Sequence, residues 1–99
     1  MITKFLITGV GGQGTILASS VLSEVGVRLG HDVKKSDILG LAVRGGSVIS
    51  NVCWGERVYS PIIDRGQADY YLSFEWLEGK RNLRLVKPDG VILANDYRL

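Results

Sequence analysis

Cysteine is nearly absent from this 99-residue chain: Cys53 stands alone. A single thiol excludes an internal disulfide. It also excludes an iron–sulfur cluster held by this chain unaided, which needs about four thiolates, so any redox metal must sit on a partner. Histidine is equally scarce, with only His31, and no Ser-His-Asp, Cys-His or metal-ligand constellation is present. We therefore expect no catalytic residue and no metal ligand in the chain. Long apolar runs are missing too, so no segment is suited to span a bilayer. Met1 leads straight into strand-like sequence without a charged leader and cleavage site, and a cytoplasmic location is the default expectation. Twelve basic residues against ten acidic ones leave a formal charge of +2. With no basic stripe, neither nucleic acid nor a membrane surface is expected as a partner.

Glycine is plentiful by contrast, with 13 residues, most of them clustered. "KFLIT" (4–8) reads as a buried parallel strand, and "GVGGQG" (9–14) follows it with G-x-G-x-x-G spacing. A helix is predicted from about Gln13. Ala18, Val21, Leu22, Val25 and Leu29 would form its apolar face, and Gly30 would stop it. In this strand–turn–helix context Gly9 would permit the tight turn, Gly11 would let the backbone approach an anion, and Gly14 would allow close helix–strand packing. Gly12 belongs to the same turn, and Gln13 adds an amide donor.

"DVKKSDI" (32–38) reads as a strand near a sheet edge because of its two lysines. "SVISNVCW" (47–54) and "RVYS" (57–60) read as an antiparallel hairpin joined by Gly55-Glu56. "YYLSF" (70–74) and "VILAN" (91–95) are further strands. A short helix over 75–86, interrupted by Gly79, and a turn at "KPDG" (87–90) lie between them. His31 reads as a solvated or capping residue, Cys53 as packed, and Glu75 and Glu78 as favourable charges at a helix start.

A second glycine cluster, Arg44, Gly45, Gly46 and Ser47, pairs a guanidinium with a backbone able to form an anion-holding nest. Ser36 is a candidate ligand contact near a strand end. Asp37, 23 residues after Gly14, has the spacing of a ribose-binding acid in a dinucleotide site. Three readings stay open on these residues alone. The turns hold phosphate or another anion, they form an NAD or FAD site, or they only pack and dock.

The order of four stretches, "GVGGQGTILASSVLSEV", "HDVKKSDILGLAVRGGSV", "VYSPIIDRGQADYYLSFEWLE" and "VKPDGVILAN", resembles the gamma-type domain of the 2-oxoacid:ferredoxin oxidoreductases, in its indolepyruvate-type branch. That domain is roughly twice as long, so residues 1–99 would be its N-terminal part. Lys35 stands where the family usually has an apolar residue. The resemblance implies a Rossmann-like three-layer α/β/α fold with a mostly parallel sheet and an inserted antiparallel hairpin, present as a partial domain. It implies an enzyme that oxidatively decarboxylates a 2-oxoacid with coenzyme A, giving an acyl-CoA, carbon dioxide and reduced ferredoxin. A large partner subunit would carry thiamine diphosphate and iron–sulfur clusters. This chain would contribute coenzyme A binding and subunit contacts through its two glycine turns.

Overall fold

In the computed structural model, which describes residues 1–10, 13–39 and 46–95, strand β1 (Thr3–Val10) leads into helix α1 (Gln13–Arg28). Strands β2 (Asp32–Leu39), β3 (Ser47–Gly55) and β4 (Ala68–Ser73) follow, then the short helix α2 (Trp76–Arg81), a 3-10 turn at Leu83–Leu85 and strand β5 (Val86–Ala94). The five strands form one sheet in the order β2-β3-β1-β4-β5. β1 pairs parallel with β4, and β4 with β5, whereas β3 is antiparallel to both β1 and β2. Four strands therefore run one way, with β3 reversed among them. This is the α/β class expected, with β2 at a sheet edge as its lysines predicted.

The antiparallel hairpin is present but built from other strands. Residues 57–60 form no strand. Both edges of β3 are already taken, by β1 (Thr3↔Trp54) and by β2 (Asp32↔Gly55), so a strand returning after Gly55 would have nothing to pair with. The chain instead crosses one face of the sheet. Its Val58 and Ile63 join Leu6, Cys53, Ala68 and Tyr71 in the main apolar cluster. Asp32 anchors this crossing by accepting the Val58 N–H at 2.8 Å. The expected turn at 87–90 lies inside β5, where the register shifts between the Ala68↔Val86 and Tyr70↔Val91 pairs. Pro88 and Gly90 thus bulge a strand without ending it.

Side chains alternate between sheet faces, and residues paired across strands share a face. Tyr71 and Thr8 point to the cluster face, where their hydroxyls lie 2.8 Å apart and Tyr71 also donates to the Gly79 carbonyl at 3.1 Å. Gly79 explains the interruption seen in the helical pattern. A Cβ there would lie 2.5 Å from Ser73 Oγ, so α2 can approach β4 this closely only with glycine. On the opposite face, α1 lies over β3 and its neighbours β2 and β1. Helices on both faces give the three layers.

The stop of α1 matches expectation in detail. Gly30 has φ +87°, its N–H bonds to the Val27 carbonyl at 3.0 Å, and the His31 N–H reaches the Gly26 carbonyl at 3.0 Å, the paired bonds of a Schellman cap. The buried face of α1 differs from expectation. The residues it presses on the sheet are Thr15, Ser19 and Gly26, whereas Val21, Val25 and Leu29 are 54%, 40% and 64% exposed. Small residues let the helix sit close, and the apolar stripe is turned sideways. No helix among the described residues is long and apolar enough to cross a membrane.

Candidate functional site

Because β1, β2, β4 and β5 share a direction, their carboxyl ends lie on one edge of the sheet, at Val10, Leu39, Ser73 and Ala94. β3 starts from the same edge at Ser47, which pairs with Val10. The two glycine clusters thus attach to adjacent strands at one edge, the side on which open α/β sheets bind ligands. The parallel ladder continues one step further, since the Phe74 N–H donates to the Thr8 carbonyl at 2.9 Å. That bond brings Phe74 and Glu75 alongside Gly9.

Within this edge the glycines divide by what surrounds them. A Cβ on Gly9 would fall 2.3 Å from Thr15 Oγ1 and 3.4 Å from Phe74 Cβ. Close helix–strand packing is therefore made at Gly9, and not at Gly14 as the spacing suggested. Among the described residues nothing lies within 4 Å of a Cβ built on Gly14, so the first turn of α1 is open there. Gly46 has φ +71°, a conformation that favours glycine, and Ser47 beside it is half-buried. Gly11, Gly12, Arg44 and Gly45 lie outside the described residues, as do the side chains of Gln13 and Glu78.

Ser36 is not brought to this edge. It sits within β2, opposite Asn51, on the sheet face away from α1. His31 lies at the other end of β2, about 25 Å from the carboxyl edge at ~3.3 Å per residue. Its ring stacks on Trp54 with centroids 5.5 Å apart. Cys53 is fully buried, and burial pushes its thiol above the usual range, the opposite of a nucleophile's environment.

Asp37 is committed to structure. Its Oδ1 accepts from Ser50 Oγ and, at 3.0 Å, from Ser19 Oγ, while its Oδ2 meets Lys35 Nζ at 2.9 Å. Lys35 Nζ also reaches Ser19 and Ser20, each at 3.2 Å. Burial would raise the Asp37 pKa, but the bonds from Ser50, Lys35 and Ser19 outweigh it and hold the carboxyl below its ordinary value. This knot ties α1 to β2 and β3, and it explains a lysine at position 35.

One residue of the edge gained significance only in three dimensions. Glu75, read from sequence as a helix-dipole charge, is 97% buried (3% exposed) just after β4. Its carbonyl accepts from Ser73 Oγ and from the Gly79 N–H, both at 2.9 Å. A carboxylate directly following the apolar strand "YYLSF" was the available signal. Among the described residues no three His, Cys, Asp or Glu side chains are grouped to hold a metal ion.

Residues 4–99 match the family model described as pyruvate ferredoxin/flavodoxin oxidoreductase. The chain is 40% identical over 92 residues to indolepyruvate oxidoreductase subunit IorB of Thermococcus kodakarensis, covering 93% of this chain and 46% of that one. It is 38% identical, with the same coverage, to the protein of that name from Pyrococcus horikoshii. The chain thus spans about half the length of these curated relatives. Among solved structures, it is similar to a keto/oxoacid ferredoxin oxidoreductase gamma subunit from Geobacter sulfurreducens. The TM-score is 0.73 and the identity 26%, over 94% of this chain and 50% of that one. The fold also recurs in 2-oxoglutarate:ferredoxin oxidoreductase from Magnetococcus marinus, with TM-score 0.79 and 18% identity over 97% of this chain and 16% of that one. A family match across nearly the whole length, on a similar overall fold, means that this chain belongs to the pyruvate ferredoxin/flavodoxin oxidoreductase family.

Proposed function

We propose that this chain is a non-catalytic subunit of an indolepyruvate-type 2-oxoacid:ferredoxin oxidoreductase, and that its carboxyl edge binds coenzyme A. The observation that carries the reading is the Val10↔Ser47 pairing, which sets both glycine clusters on neighbouring strands at one edge. Free N–H groups at the start of α1 would face coenzyme A phosphates, and the Arg44 guanidinium would pair with them. The open space at Gly14 and the left-handed backbone at Gly46 fit such an anion better than a closed packing turn would. The Magnetococcus marinus enzyme of the same fold holds 2-oxoglutarate, coenzyme A and succinyl-CoA, which supports the choice of anion.

In this reading thiamine diphosphate, which supplies the carbanion chemistry of decarboxylation, and the iron–sulfur clusters that pass electrons to ferredoxin belong to the large partner subunit. This chain's residues bind and orient the thiol co-substrate. An NAD or FAD site is disfavoured, because Asp37 is occupied by Ser19, Ser50 and Lys35 and β2 is antiparallel to β3.

Arg44→Ala should raise the KM for coenzyme A in the reconstituted complex about tenfold, the loss of one charge-assisted contact, with thiamine diphosphate affinity unchanged. Gly14→Leu should raise the same KM without lowering the melting temperature, since among the described residues nothing lies within 4 Å of a Cβ at that position. Unchanged KM values for both variants would remove coenzyme A from this edge.

A further inference from the structure

On the α1 face of the sheet one layer position is empty. α1 covers β3, β2 and β1, and its Ser20 meets Lys35 of β2, which fixes the flank of the helix turned toward that edge. The opposite flank, about 180° round the helix, carries Leu22, Val25 and Leu29 and looks out over β4 and β5. Below it the same sheet face presents Tyr70, Val91 and Leu93, which are 46%, 50% and 65% exposed. The result is a trough with an apolar wall and an apolar floor. Its width suits one helix: neighbouring helices pack 8–10 Å apart, roughly two strand spacings of ~4.8 Å.

We propose that this trough is the seat of an amphipathic helix from the remaining half of the family domain, the portion that the relatives have and this chain does not match. The relatives are about twice as long as the matched region. β5, at the edge of the sheet beyond β4, forms the bare side of the trough. A second copy of this chain is less suited, because its own apolar flank lies beside a sheet and cannot insert as a free helix.

Cysteine labelling tests this directly, with buried Cys53 as the internal reference for an intact fold. Val25→Cys and Leu93→Cys in the 99-residue chain should label as fast as Ile62→Cys, an exposed position outside the trough, at every protein concentration. In one chain joined to the unmatched half of the Thermococcus kodakarensis relative, the two trough positions should slow at least tenfold while Ile62→Cys is unchanged and Cys53 stays closed. Trough cysteines that label equally fast in the joined chain would overturn the proposal. A joined chain that opens Cys53 would do so too, since a half that completes the layer must protect the core. Protection of Val25→Cys that rises with concentration of the 99-residue chain would assign the trough to a second copy instead.

Discussion

Gly26→Val should destabilise the fold by about 2–3 kcal/mol, the upper range for overpacking a filled site. A Cβ at this position would lie 2.5 Å from Trp54 Nε1 and 2.8 Å from both Cδ1 and Cε2. The indole has little room to withdraw. Phe5 packs on it at 4.6 Å and His31 stacks on it at 5.5 Å, and Phe5 is in turn stacked on Tyr70 at 5.2 Å. Among the described residues Trp54 Nε1 is buried without a hydrogen-bond partner, so packing is what holds the ring there. Against this, glycine in a helix interior costs ~1 kcal/mol relative to alanine, a gain that the clash must exceed. At 4–8 °C per kcal/mol for a domain of this size, the melting temperature should fall by roughly 10 °C or more. Urea denaturation gives the same quantity independently. Combining Gly26→Val with Trp54→Ala should cost less than the sum of the two single variants, because the indole is what the valine meets. Additive losses, or a single-variant loss below about 0.5 kcal/mol, would show that the helix can lift off the sheet cheaply.

The same residues show why some of the fold was legible in the sequence and some was not. β1, the glycine turn and α1 announce themselves through local chemistry: an apolar run, then glycines, then a helical repeat ended by Gly30. Those signals depend on near neighbours and survive into the structure. Gly55-Glu56 satisfies a local turn rule, while the competitor that displaces residues 57–60 is β2, whose Asp32, 23 residues earlier, pairs with Gly55. Long-range competition for a strand edge leaves no mark at the turn itself.

The face of α1 was misread for a different reason. Hydropathy scores apolar residues, whereas close helix–sheet packing here selects small ones, and Thr15, Ser19 and Gly26 are weak in that scale. The period was right and the direction was wrong. At the candidate site, β1 ends and β3 begins at one edge because β3 runs antiparallel to β1, a placement set by strand direction and not by residue spacing. The burial of Glu75 and the capture of Asp37 by two serines and a lysine depend on side chains from α1, β2 and β3 meeting, which spacing along one segment does not encode.

Asp37→Ala should cost about 2 kcal/mol near neutral pH. The carboxylate accepts the hydroxyls of Ser19 and Ser50, both fully buried; removing it takes from Ser50 its buried acceptor, whereas Ser19 keeps the Ile16 carbonyl at 2.9 Å. Lys35 loses its ion-pair partner as well. With 32% of the lysine side chain and 23% of the aspartate exposed, water recovers part of that loss, which keeps the figure below the ~3–5 kcal/mol of a fully buried pair. Asp37→Asn retains an acceptor but not the charge, and should cost about half as much. The pH dependence follows from the depressed pKa. A carboxyl whose folded pKa lies below its unfolded value of ~3.9 contributes its full stability above that value, and loses it as pH falls through the folded pKa. The gap between wild type and Asp37→Ala should thus be constant from about pH 5 upward and narrow in acid. Asp32, also held low, by the Val58 N–H and by Lys34, keeps a residual acid sensitivity in the variant. Denaturant midpoints measured from pH 3 to pH 7 check both statements. Equal stability of wild type and Asp37→Ala at pH 7 would mean that the knot is dispensable, and would return Asp37 to the list of groups free to meet a ribose.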